Sequence, residues 1–152
     1  MQPVKTILCP TDFSPCSDAA IGLAVELAKE LGASIHLVHI FQLPFYVGWE
    51  DGPATVAATG EFLDELRQRS GEKLEEAAER CRQAGVQVTT EQADGVPHAR
   101  VLELGDKADM IVMGTHGRTG LPRLVLGSVA ERIVRLAKCP VLTVPSADEA
   151  EA

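Results

Sequence analysis

Basic charge is the first thing this chain lacks. Its 14 Lys and Arg face 22 Asp and Glu, for a net charge of −8. That balance disfavours nucleic acid or an anionic membrane as a non-specific partner, since both require a basic face. Long apolar runs are missing too: none approaches the roughly 20 residues that span a bilayer. A lone Lys5 precedes the first patterned segment, so no secretory leader is expected and the expected location is cytoplasmic. The cysteines Cys9, Cys16, Cys81 and Cys139 fit neither a paired zinc motif nor Cys-x-x-Cys. Cys9 and Cys139 lie in or beside apolar runs, where a thiol behaves as a small hydrophobe. The histidines are equally scattered. His36 and His39 are oddly spaced on one predicted strand, so they point to opposite faces and cannot share a metal.

Missing motifs narrow the chemistry further. The chain has no Gly-x-x-x-x-Gly-Lys-[Ser/Thr], and hence no P-loop lysine. No Gly-x-Gly-x-x-Gly follows the first strand, which disfavours a dinucleotide redox fold. Without a Gly-x-Ser-x-Gly elbow or a recognisable nucleophile, base and acid set, there is no hydrolytic machinery to assign.

What is there is a chain of 152 residues, 45% apolar and 24% charged, the size and composition of one soluble globular domain. Val4 to Cys9 reads as a strand broken by Pro10-Thr11-Asp12-Phe13-Ser14-Pro15. Ser14 before Pro15 is an N-cap signature, and the helix it opens runs to about Leu31, with Gly32 as its stop. Ser34 to Phe41 is a second strand. Gln42 to Gly60 is irregular and holds Phe45, Tyr46 and Trp49, a lid or partner surface on one reading and a surface insertion on the other. Helical spacing resumes from about Glu61, with Leu63, Leu66, Leu74, Ala77, Ala78 and Cys81 on one face, and Gly85 ends it. Val86 to Glu91 alternates as an edge strand does. A short helix around Ala99 to Lys107 leads to the buried strand Asp109 to Gly114. Val129, Ile133, Leu136 and Ala137 mark a last helix with Lys138 in its final turn, before the strand Val141 to Val144. Strands alternating with helices predict an α/β fold with a mainly parallel sheet covered on both faces. The expected division is a single domain over residues 1–146 and an acidic tail over 147–152.

The stretch Met113-Gly114-Thr115-His116-Gly117-Arg118-Thr119-Gly120, followed six residues later by Gly127-Ser128, joins a strand to a helix. Glycines there permit positive φ and the close approach of a ligand. The helix start beyond presents unpaired N–H groups and the positive end of a dipole, which suits phosphate. In a parallel sheet, ligands bind beyond the carboxyl ends of the strands at a reversal of strand order. Three such ends can meet: Pro10-Thr11-Asp12, His39-Ile40-Phe41 and the glycine loop. Asp12 fits a ribose hydroxyl pair or simply the capping of its own turn, and spacing leaves both open. Gly114 and Gly117 fit a phosphate loop or a plain turn. Ser128 fits an N-cap, an anion site or both, and Arg118 and Arg123 fit phosphate neutralisation or solvated surface.

These residues resemble the universal stress protein family over nearly the whole chain. The resemblance is carried by Ile7-Leu8-Cys9-Pro10-Thr11-Asp12-Phe13-Ser14, by Leu37-Val38-His39-Ile40 and by Asp109 to Gly117. It continues through Leu126-Gly127-Ser128-Val129-Ala130 and Cys139-Pro140-Val141-Leu142-Thr143-Val144-Pro145. The ATP-binding branch of that family carries Gly, two residues, Gly, nine residues, then Gly and Ser or Thr, and Gly114, Gly117, Gly127 and Ser128 meet that spacing without a gap. The resemblance implies an open five-stranded sheet of order 3-2-1-4-5, Rossmann-like. It implies adenine and ribose near Pro10, Thr11, Asp12 and the backbone of Ile40. Phosphates would lie along Met113, Gly114, His116, Gly117 and Arg118, and on Gly127, Ser128 and Val129. The cofactor is expected to be ATP, or else ADP or AMP, with Mg2+ as its counter-ion and no identifiable metal ligand in the chain. A homodimer through Val141, Leu142, Thr143 and Val144 is also implied, which removes an exposed apolar edge. The function expected is a stress-response nucleotide holder with at most slow hydrolysis. The alternatives are a nucleotide-independent dimeric interaction module, with a protein partner the sequence leaves unnamed, and a true ATPase.

Overall fold

In the computed structural model, the residues described are 2–42, 60–117 and 125–146. The irregular stretch with its three aromatics, Arg118, Arg123 and the acidic tail therefore lie outside them, Gln42 and Gly60 excepted. Among the described residues, nine elements alternate. They are β1 (Thr6–Pro10), α1 (Pro15–Leu31), β2 (Ser34–Phe41), α2 (Gly60–Gln83), β3 (Val88–Asp94), α3 (Pro97–Gly105), β4 (Met110–Gly114), α4 (Ser128–Leu136) and β5 (Val141–Val144). The strands form one sheet of order β3-β2-β1-β4-β5, every pair parallel. This is the expected order.

The three inner strands are apolar at nearly every position because helices cover both faces. Ile7, Cys9, Ile35, Leu37 and Val112 face α1 and α2, in a core with Ala20, Ala24, Leu74 and Ala78. Leu8, Val38, Ile40, Ile111 and Met113 face the other way, toward Val101 of α3 and Ala130 and Ile133 of α4. The edges differ. β3 is mostly polar and its Thr89 and Glu91 take both ring nitrogens of His36, at 2.8 and 3.0 Å.

Local chemistry explains most boundaries. Ser14 is the N-cap of α1, its hydroxyl accepting from the Ser17 N–H, with Pro15 at the first helical position. Gly32 closes the helix at φ +65°, a left-handed conformation that glycine adopts without a Cβ penalty. Several expected boundaries shift. β1 begins at Thr6, not Val4, and includes Pro10, paired with Val38 of β2, so the break comes one residue later. β3 begins at Val88 because Val86, following Gly85 at φ +91°, gives its N–H to the Cys81 carbonyl and terminates α2 instead of joining the ladder. α3 begins at Pro97, two residues earlier than the periodicity suggests, since proline needs no N–H partner in a first turn. Lys138 falls beyond the end of α4 at Leu136 and pairs with Asp106 at 2.9 Å.

At the amino edge of the sheet, Asp109 accepts the N–H groups of Lys5 and Thr6, both at 2.9 Å, tying β4 to the start of β1. Those two hydrogen bonds, with a smaller contribution from the Lys5 charge, hold its carboxyl below the ordinary carboxylate range. Cys9, Cys16, Cys81 and Cys139 are free thiols. Burial raises the pKa of Cys9, Cys81 and Cys139, which keeps them protonated and unreactive.

Candidate functional site

The chain runs from β1 outward to β2 and β3, then returns to β4 and β5 on the other side of β1. The strand order therefore reverses between β1 and β4, and the crevice opens beyond their carboxyl ends. The turn after β1 is built almost entirely from its own short polar side chains. Thr11 is buried, its hydroxyl 3.1 Å from that of Ser17 and accepting the Phe13 N–H at 3.0 Å. Asp12 accepts the Ser14 N–H on Oδ1 at 3.0 Å. The capping reading of Asp12 thus holds for one oxygen, and the carboxylate is held in a single place at the mouth of the crevice.

The three motif glycines have a different reason to be glycine from the one the sequence suggested. None of Gly114, Gly117 or Gly127 has a positive φ, which among the described residues belongs to Gly32, Gly85 and Gly95. Each instead sits where another part of the protein comes too close for a Cβ. At Gly114 a Cβ would lie 2.8 Å from Cys16 Cβ and 2.9 Å from its carbonyl carbon, so β4 can end against the first turn of α1. At Gly117 it would lie 2.8 Å from Asp12 Oδ2, and at Gly127 3.0 Å from the Thr115 carbonyl oxygen. The spacing of the motif therefore records contacts among the loop, α1 and the Asp12 turn.

The loop's described ends are drawn together. The Gly127 N–H donates to the Thr115 carbonyl at 2.9 Å, and the His116 Nε2–H donates to the Val125 carbonyl. A carbonyl only accepts, so Nε2 carries the hydrogen and neutral His116 can accept the Thr115 hydroxyl on Nδ1, at 3.1 Å. Gly127, not Ser128, is the N-cap of α4, and it has no side-chain cap bond. Ser128, Val129 and Ala130 are the first three helical residues, whose N–H groups have no acceptor inside the helix. Those groups and the helix dipole make the start of α4 electropositive in a chain that is acidic overall.

A cavity of about 710 Å³ occupies this crevice, within the size of about 300–1,000 Å³ usual for small-ligand sites. The structure brings to it Pro10 from the end of β1, Thr11 and Asp12 from the turn after it, Ile40 from β2, and Met113, Gly114, His116 and Gly117 from β4 and its loop. Gly127, Ser128 and Val129 complete the set, and of the candidate residues Arg118 and Arg123 fall outside the described part of the chain. His39 and Phe41, at the strand end expected to meet the site, line it as well, while sequence reading missed several walls: Ser17 of α1, Leu66 and Ser70 of α2, and Pro97 and Val101 of α3. Leu66 and Ser70 are four apart on a helix and so share a face, but nothing in that spacing says the face borders the crevice. Behind Phe41 stands Arg67, its guanidinium 5.3 Å from the ring centroid and paired with Asp94 at 3.0 Å. Among the described residues no group of three or more His, Cys, Asp or Glu could hold a metal, and no helix is long and apolar enough to cross a membrane.

The same fold and chain length recur in known proteins. The chain is 40% identical over 143 residues to universal stress protein MJ0531 of Methanocaldococcus jannaschii, covering 92% of this chain and 81% of that protein. Hypothetical protein MJ0577, a universal stress protein of the same organism, superposes with a TM-score of 0.74 at 27% identity, over 95% of this chain and 97% of that one. A universal stress protein solved in complex with cAMP superposes with a TM-score of 0.65 at 26% identity, over 94% and 98% of the two chains. The model of the universal stress protein family matches residues 3–145, and this chain, by sequence and by fold, belongs to that family.

Proposed function

We propose that this protein holds ATP in the crevice beyond β1 and β4, as a nucleotide-binding module of the stress response with at most slow hydrolysis. The observation that carries the reading is that every described candidate residue, from four separate segments, lines one cavity at the reversal of strand order. The cavity fits the ligand chemically. Asp12 offers a fixed carboxylate to the ribose hydroxyls, beside Pro10 and Thr11. The adenine lies against Ile40, whose apolar neighbours Met113 and Val101 give it a dry wall. The phosphates run past Gly114, His116 and Gly117 to the N–H groups of Ser128 and Val129, where the helix dipole attracts anions. Arg118 adds a cation to that end, and Mg2+ accompanies the triphosphate without an assigned ligand from the chain. ADP or AMP makes the same adenosine contacts with fewer phosphates. An adenine nucleotide, cAMP, is bound by one of the superposable family members.

The chain carries no recognisable nucleophile, base and acid set, which favours holding over cleaving. A regulatory binder needs a way to pass on its ligand state, and β5 offers one. It is an edge strand whose Leu142 is 37% exposed. Pairing of Val141, Leu142, Thr143 and Val144 with a second copy makes a homodimer, acting in the cytoplasm.

The test is to purify the protein without added nucleotide, heat it, and identify released ligand by mass spectrometry, with calorimetry against ATP and Mg2+ on the stripped protein. Released adenine nucleotide and a saturable heat are expected. Neither one appearing would reject the reading and favour a nucleotide-independent interaction module.

A further inference from the structure

We propose that His39 is a positioning residue, aiming the Asp12 carboxylate by gripping the residues on either side of it. His39 is 6% exposed and lines the cavity without belonging to the motif. Its Nδ1 lies 2.8 Å from the Thr11 carbonyl oxygen, which can only accept, so Nδ1 carries the hydrogen. Its ring stacks on that of Phe13, with centroids 4.5 Å apart and planes 33° apart. One side chain therefore fixes both neighbours of Asp12, one by a hydrogen bond and the other by ring contact.

Phe13 needs such a hold. Its φ is +64°, the only positive value at a non-glycine among the described residues, and a bulky side chain disfavours that conformation. The turn stays in it because the Phe13 N–H is bonded to the Thr11 hydroxyl and its ring is covered by His39, with the Lys73 ammonium 5.6 Å from the ring centroid. Relaxing Phe13 to negative φ would swing the peptide that carries Asp12 and break the Asp12 bond to the Ser14 N–H. His39 itself cannot move easily. It sits on an inner strand, opposite Gln92 of β3 and one residue past the Val38–Pro10 pairing with β1. A rigid strand thus holds a strained turn at the mouth of the site.

The effect on ATP rests on the nucleotide reading above, whereas the effect on the Asp12 turn does not, so the two are measured separately. In nucleotide-free protein, NMR hydrogen exchange at the Ser14 amide reports whether Asp12 is in place. His39→Leu keeps the bulk without the donor and is expected to speed that exchange about tenfold, the loss of one buried hydrogen bond. His39→Asn keeps an N–H near Nδ1 and is expected to restore most of the protection, which mere filling of the core would not do. Unchanged Ser14 exchange in His39→Leu, or an Asn variant as impaired as the Leu one, would overturn the proposal. Should His39→Leu fail to fold, Phe13→Leu removes the ring contact alone; faster Ser14 exchange supports the grip and unchanged exchange overturns it. Calorimetry with ATP and Mg2+ on the same proteins is expected to follow the same order, about tenfold weaker for Leu and recovered in Asn. A wild-type protein that binds no ATP rejects the nucleotide reading, while the Ser14 exchange still decides the role of His39.

Discussion

Two aspartates stand at opposite ends of the central strands, and the contrast between them separates what holds this fold from what it presents. Asp109, at the amino edge, spends one oxygen on two backbone N–H groups of the neighbouring strand. Asp12, at the carboxyl edge, gives one oxygen to the turn that carries it and turns the other toward Gly117 at the mouth of a cavity. The first joins β4 to β1, and its bonds stay within the sheet. The second is held in a turn gripped from a different strand, and its carboxylate lines the cavity. Parallel sheets separate the two roles because strand ends at one edge open on a crevice, while those at the other are closed by the connections that enter them.

The sharpest test of the contrast is at Gly117. Gly117→Val places side-chain atoms on Asp12 Oδ2 and across the phosphate path, so calorimetric heat with ATP should vanish while the circular dichroism spectrum stays native-like and the Tm falls by a few degrees. Next in size is Gly114→Ala. The added Cβ meets the Cys16 backbone, which cannot rotate away, and overpacking of this kind costs about 1–3 kcal/mol in a denaturant titration. Asp12→Asn retains an acceptor for the Ser14 N–H but loses the charge, so ATP affinity is expected to fall about tenfold with little change in stability.

The smallest effect is expected at Asp109→Asn, and it depends on pH. Because the folded carboxyl is held below its ordinary value of about 3.9, its stabilisation is present above that pH and fades as pH falls through the folded value. The variant should melt below wild type at pH 7 by a few degrees at most, and the gap should close below about pH 4. Nucleotide affinity measured at pH 7 should be unchanged. A drop in affinity there would mean that the two edges are coupled and the contrast too simple.

Much of this was legible in the chain itself, and the particular residues show why. The alternation of apolar runs with helical spacing named every element. Ser14-Pro15 and Gly32 marked the ends of α1 because caps are chemistry between residues a few positions apart. The glycine spacing located the loop, yet the reason for it lay elsewhere: Gly114, Gly117 and Gly127 answer to Cys16, Asp12 and Thr115, and two of those contacts span about a hundred positions. His39 was legible as part of a strand end near the site but not as a grip on its turn, since neither its hydrogen bond to Thr11 nor the strain at Phe13 leaves a mark in local pattern.

Short-range physics thus settled the elements and their sequence along the chain, because hydrophobic period, capping and turn chemistry act over a few residues, while the resemblance carried by the motif residues gave the family and the strand order. Only the tertiary structure decided that Asp12 has one oxygen in its turn, that the loop glycines are there for close packing, and that a histidine on β2 grips the turn after β1. Those facts depend on which segments meet across the sheet, and contact at long separation is fixed by packing the whole chain at once.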